Sequence, residues 1–269
     1  MSMKLGIICP YDEAGFEDAK RLGLEFIEIC YNVGNDCVKF SNETLPALLE
    51  RTKKYGVAIG SIGRWGTDKI DKNGGIIEEE FNNSCLLIDA CGALGCKVFV
   101  TGVNYVEGFS LYENCTFAIA FLEKLIAHGK ERGVDIAVYN CDWNNFIKDP
   151  PSWELILGYL KDLGIKYDPS HCINSGSGKY IEETAKWGHR FYHVHIKGTV
   201  NTDECGHIDD PPAGLDDINW GSFMAVLYKV HYERNLSIEP HSGTWRGALG
   251  DRGVEYSVDY IKKMIFGGA

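Results

Sequence analysis

Three short stretches in the second half of the chain end an apolar run on groups that can hold a cation or move a proton. "IKYDPSH" (165–171) carries Asp168 and His171, "FYHVHIKG" (191–198) carries His193, His195 and Lys197, and "LSIEPHS" (236–242) carries Glu239 and His241. Two carboxylates and an imidazole, Asp168, Glu239 and His195, suit a hard-to-borderline divalent cation such as Mn²⁺, Mg²⁺ or Zn²⁺. Each group alone has an ordinary structural use. Asp168 ahead of Pro169 can cap a helix, the His193/His195 pair can be an inward-facing packed layer, and Glu239 can pair with Lys197 in the core. Such groups at three consecutive strand ends shift the balance toward chemistry.

The elements that must position them follow a regular beat. Apolar runs of strand length occur at 4–9, 26–31, 57–62, 97–102, 135–141, 165–168, 191–197 and 236–239. Each after the first is preceded by a helix-like stretch that ends in a break, and glycine or asparagine just past the periodic run is the expected helix stop. A last helix is expected over 254–265. Eight strand–helix units in 269 residues predict a closed (β/α)₈ barrel, one domain over 1–269. An open doubly wound sheet fits less well, because no G-x-G-x-x-G follows the first strand. Barrel chemistry sits at the C-terminal strand ends. Side chains two apart on a strand share a face, so His193 goes with His195, and Glu239 with Ser237 and His241. The longest insertion, 198–219, falls on that face, where it could act as a lid.

Bulk properties narrow the function. Net charge is −11, which argues against a phosphate-backbone partner, since nucleic-acid binders usually present a basic face. A small neutral or weakly charged molecule is the expected partner, and homo-oligomerisation is left open. No apolar run approaches the ~18 residues of a membrane span, and "MSMKLGIICP" has no cleavable signal pattern. The ten cysteines are scattered through apolar segments without a C-x-x-C pair. They read as free thiols in a reducing, cytoplasmic compartment. His207, Asp209 and Asp210 read as a solvated loop, and Gly176-Ser177-Gly178 is too short for a phosphate loop.

The set "YDPSH", "HVHIKG" and "SIEPH", spread over eight β/α units, resembles the xylose isomerase-like TIM-barrel superfamily, and within it the sugar phosphate isomerase/epimerase group. The resemblance implies a divalent metal held by Glu, Asp, His and Glu from strands five to eight. Asp168, His195 and Glu239 match the last three. His171 matches a residue that contacts substrate oxygens, and Lys197 sits at a polar substrate contact. Strand five departs from the pattern: the family's "ALEN" falls on Ala137-Val138-Tyr139-Asn140, so Tyr139 replaces the first glutamate. A shift of one residue would bring Asn140 or Cys141 to the site instead. Either a more solvated three-ligand metal or no metal follows. The family's two-base epimerisation loses one member, whereas a one-base scheme with Glu239 survives. That scheme serves aldose–ketose isomerisation, or dehydration and β-elimination with Tyr139 or His171 as acid. His193, His241 and Asn140 are expected to meet substrate. Trp65 and Trp245, with Trp143, could stack on sugar faces; Arg64, Asn144 or Arg246 could bind hydroxyls or a phosphate. For any single tryptophan, packing a loop onto the rim is the ordinary alternative. The expected function is a sugar or sugar phosphate isomerase/epimerase. An inosose-type dehydratase or lyase on the same site and a non-catalytic sugar-binding barrel are the rivals. The charge and Tyr139 speak against an endonuclease IV-type nuclease.

Overall fold

The apolar runs become eight parallel strands in a computed structural model that describes residues 3–267. In chain order the strands are β1 (Lys4–Ile8), β2 (Phe26–Cys30), β3 (Ala58–Arg64), β4 (Val98–Thr101), β5 (Asp135–Tyr139), β6 (Leu163–Tyr167) and β7 (Phe191–Ile196). They continue with a hairpin, β8 (Val200–Thr202) and β9 (Gly206–Asp209), and the last barrel strand β10 (Asn235–Ile238). Neighbours run β1, β10, β7, β6, β5, β4, β3, β2, and β2 pairs with β1 to close the barrel. The expected (β/α)₈ architecture is therefore present. Strand bounds move by a residue or two: β3 continues to Arg64, and β6 starts at Leu163 and stops before Asp168. The last helix, expected over 254–265, spans Gly247–Lys262.

Local chemistry explains the breaks. The helix Leu111–Arg132 opens on a capping box, Ser110 with Glu113, and closes on Gly133 at φ 66°, a left-handed turn that glycine adopts at little cost. Pro169 can donate no ladder bond, so β6 ends there and Asp168 caps the short helix Pro169–Asn174. Within the 198–219 insertion, β8 and β9 form a hairpin that follows β7. Asp209 Oδ1 accepts from Ser242 Oγ at 2.6 Å, and Asp210 pairs with His241 at 3.0 Å.

The main core lies between the outer sheet face and the helices, with Ile136, Val138, Leu163, Ile165 and Phe121 among its fully covered members. Inside the barrel, size is complementary. A Cβ on Gly6 or Gly60 would stand 2.3 or 2.1 Å from the Phe26 ring, so that ring fills space which only glycine leaves free. Above it the filling turns polar. Register sets Ser237 beside His195, Asn235 beside His193, and His193 beside Lys166, so β6, β7 and β10 bring one inward layer of polar groups to the C-terminal end. All ten cysteines are free, and among the described residues no helix is long and apolar enough to cross a membrane.

Candidate active site

Asp168 is held by its own backbone. Asn140, just past β5, donates Nδ2–H to the Asp168 carbonyl at 2.8 Å and accepts the Asp168 N–H at 2.9 Å. Asp168 Oδ1 accepts from Ser170 N at 2.9 Å and Ser170 Oγ at 2.7 Å. Those contacts leave Oδ2, a buried atom with no hydrogen bond. Around it stand Lys197 Nζ at 3.2 Å, His171 Nε2 at 3.4 Å, Lys166 Nζ at 3.9 Å and His195 Nδ1 at 4.0 Å. Lys197 is close enough to pair by charge, but the angle makes no hydrogen bond.

His195 links two carboxylates from opposite directions. Its Nδ1 lies 2.6 Å from Glu239 Oε2, and its Nε2 lies 3.0 Å from both oxygens of Glu28 on β2. Glu28 also takes His193 Nε2 at 2.8 Å. On this network Glu28 accepts the Nε2–H of His195 and Glu239 accepts a proton on Nδ1 at 2.6 Å, so Nδ1 can offer its lone pair to a cation beside Asp168 and Glu239 by giving that proton up. Two triads therefore have donor atoms within 4.8 Å of one another: Glu28, His193 and His195 below, and Asp168, His195 and Glu239 above. In the lower triad both imidazoles are spent on Glu28, and it reads as scaffold. The upper triad fits a divalent cation, because it offers oxygen and nitrogen donors and one carboxylate oxygen lacking any hydrogen bond.

Burial would raise the acids of this centre, but the cations beside them win. Lys197 and Lys166 hold Asp168 well below the usual carboxylate range, and Lys197 and His195 do the same for Glu239. Glu28 is likewise held well below that range by His195 and His193, against its burial. Burial would lower His195, yet Glu28 and Glu239 raise it. His171 goes the other way: burial pushes it down to about 4, so the ring is neutral near pH 7 and accepts from Lys197 Nζ at 3.2 Å.

Several expected roles are corrected by position. Tyr139 stacks on Trp65 with ring centroids 4.0 Å apart, and its hydroxyl donates to the Trp143 carbonyl at 2.8 Å. Burial pushes its phenol upward, and the hydroxyl is spent on the Trp143 carbonyl rather than turned toward Asp168, His195 or Glu239. Trp65 is buried against it as a wall of the barrel interior, and no sugar face can stack there. Arg64 is engaged with Glu80 at 2.8 and 3.1 Å and with the Asn32 carbonyl at 2.8 Å, leaving nothing for hydroxyls. His193 lies fully covered below His195, and Asn140 orients Asp168 from the side. His241 and Trp245 stand on the rim, where with Glu239 and Asp210 they line a cavity of about 30 Å³, room for roughly one water. A wider cleft of about 710 Å³ between the loops after β5 and β6 meets the centre at Asn140 and His171. Sequence reasoning missed Glu28 and Lys166. The available signal was a charge in the middle of an apolar strand run, in "FIEIC" and "GIKYD".

With this geometry in view, comparison with known proteins is informative. A family model described as xylose isomerase-like TIM barrel matches residues 16–264. No curated protein sequence matches the chain. Among solved structures, D-allulose 3-epimerase from Methylomonas sp., in complex with D-allulose, superposes with TM-score 0.77 at 17% identity over 98% of this chain and 97% of that one. A xylose isomerase domain protein from Planctomyces limnophilus gives 0.76 at 14% identity, over 98% and 96% of the two chains. An IOLI protein with a bound zinc atom gives 0.70 at 19% identity, over 97% and 96%. At these identities the structures speak for the fold, while the sequence match over nearly the whole chain speaks for descent. The chain belongs to the xylose isomerase-like TIM-barrel family.

Proposed function

We propose that the protein is a cytoplasmic isomerase or epimerase of a sugar or sugar-like carbonyl compound, working by metal-assisted proton transfer at the carbon next to the carbonyl. The observation that carries this reading is the convergence of Asp168, His195, Glu239 and Lys197 on one point at the catalytic end of the barrel. Asp168, His195 and Glu239 would hold a divalent cation, Mn²⁺, Mg²⁺ or Zn²⁺; when bound, such an ion polarises the carbonyl and acidifies the neighbouring C–H.

This chain's own residues do the rest. Glu239 Oε2 lies 2.6 Å from His195 Nδ1 on the cation side, and its carboxylate, 18% exposed at the side chain, receives the proton on Oε1. Lys197 Nζ lies 3.9 Å from Glu239 Oε2 and donates to the enediolate oxygen. As Lys197 turns to substrate, Glu239 loses the largest charge holding its pKa down and becomes the stronger base the step needs. His171, neutral, exchanges a hydrogen bond with a substrate hydroxyl. One base shuttling a proton between adjacent carbons serves isomerisation, and a stereochemical inversion would need a second acid that Tyr139 does not supply. The similarity to an epimerase holding D-allulose and to a zinc-binding neighbour supports the substrate class and the cation.

The test is solvent-deuterium incorporation into candidate ketoses followed by NMR, with elemental analysis of the purified protein for metal. Incorporation that vanishes in Glu239→Gln supports the reading; incorporation indifferent to that change leaves the site without its base. Tight sugar binding with no exchange would instead support a non-catalytic barrel.

A further inference from the structure

We infer that the substrate is acidic: a sugar acid whose carboxylate is received by the ammonium of Lys166, a group with no role in the reaction as described so far. This rests on the proposed site and narrows its substrate class.

Lys166 lies on β6 two residues before Asp168, so both face the barrel interior. It is 1% exposed. Yet its ammonium, with three N–H donors, makes no hydrogen bond among the described residues; Asp168 Oδ2 at 3.9 Å is its ion-pair partner, and the Trp65 ring lies 5.3 Å from it. Lys69, equally buried, shows how this chain satisfies an ammonium it keeps for architecture: Nζ donates to Glu80 Oε1 at 2.9 Å and to Thr67 Oγ1. A buried ammonium short of acceptors is costly unless something else supplies them.

Charge counting says what that something is. Asp210 on the rim is taken up by His207 and His241; among the groups inside the barrel mouth, three carboxylates, Glu28, Asp168 and Glu239, face two ammonium groups, Lys166 and Lys197. A divalent cation held by Asp168, neutral His195 and Glu239 leaves the centre one positive charge in excess. A neutral sugar leaves that excess unmatched; one carboxylate cancels it. Lys166 and Lys197 both approach Asp168 Oδ2, at 3.9 and 3.2 Å, so the acid group would enter the same cluster of charges. A flat carboxylate also suits this enclosed position better than a tetrahedral phosphate.

The test is calorimetric titration of the full-length Mn²⁺-loaded protein with D-glucuronate, D-glucose, D-fructuronate, D-fructose and D-fructose 6-phosphate. Each acid should bind at least tenfold more tightly than its neutral counterpart. Lys166→Met should reduce that preference below threefold, and Lys166→Arg, which keeps the charge, should retain most of it; thermal unfolding checks that both variants fold. Equal affinity for acid and neutral sugar, a preference that survives Lys166→Met, or a phosphate ester that outbinds both acids would overturn the inference. Deuterium exchange separates it from the reading on which it rests. Equal exchange into acids and neutral ketoses refutes the acid preference and leaves proton transfer standing, whereas selective uronate binding without any exchange does the reverse.

Discussion

Two buried charge clusters, one on the loop after β3 and one at the ends of β6, β7 and β10, use the same residue types to opposite ends. In the first, Glu80 Oε1 accepts from Arg64 Nε at 2.8 Å, Lys69 Nζ at 2.9 Å and Thr67 Oγ1 at 2.9 Å, while Oε2 accepts from Arg64 Nη2 at 3.1 Å. The Lys69 N–H goes to Asn104 Oδ1 at 2.7 Å. The charges are mutually satisfied, and they fasten the β3 loop to the helix Glu78–Leu94. In the second cluster, Asp168 Oδ2 accepts no hydrogen bond, and Lys166 Nζ has that same oxygen, 3.9 Å away, as its ion-pair partner. Burial and residue type are alike; saturation differs. A buried charge whose valences are filled by protein is architecture, and one left open marks where a ligand completes the structure.

That contrast can be broken by exchange of roles under mutation. The largest effect expected is on turnover: Glu239→Gln should lower deuterium exchange by on the order of 10²–10⁴-fold with little change in denaturant midpoint. Next, Glu80→Ala strands Arg64 and Lys69 in the core and should cost about 3–5 kcal/mol in urea unfolding. Asp168→Asn keeps the Oδ1 cap to Ser170 and leaves Lys197 with Glu239 at 3.9 Å, so it should cost less than Glu80→Ala, about 1–3 kcal/mol by the same measurement. If Asp168→Asn proved as destabilising as Glu80→Ala, the distinction between the clusters would fail. The smallest effect is a pH dependence. Burial pushes Lys69 from 10.5 down to about 8. Between those values the unfolded chain binds the extra proton, so stability should rise with pH, no more steeply than about 1.4 kcal/mol per unit. The penalty is fully present below about 8 and gone above 10.5. Lys69→Met should flatten that rise relative to wild type.

The barrel was legible because its strands and helices announce themselves by apolar periodicity and glycine stops, which are local signals. Asp168, His195 and Glu239 were legible because each closes an apolar run, Asp168 against a proline. Glu28 was not, because its meaning lies in a contact with His195 across 167 positions of sequence, made only when the barrel closes. Lys166 was hidden by its neighbours, since a lysine inside "IKYDPS" looks like an outward surface residue until the register places it inward beside His193. Arg64 and Trp65 looked like sugar-binding groups because their partners, Glu80 and Tyr139, come from a later helix and a distant strand. Tyr139, read as a departure from the resemblance's metal-binding pattern, stacks on Trp65 with ring centroids 4.0 Å apart.

The account stands or falls on whether the unsaturated cluster is a ligand site, and titration of metal-stripped protein with Mn²⁺ tests this most directly. The result expected is one ion per chain, bound by wild type and by Lys69→Met, and lost in Asp168→Asn while that variant remains folded. Absence of binding to wild type, or binding that Asp168→Asn leaves intact, would contradict it.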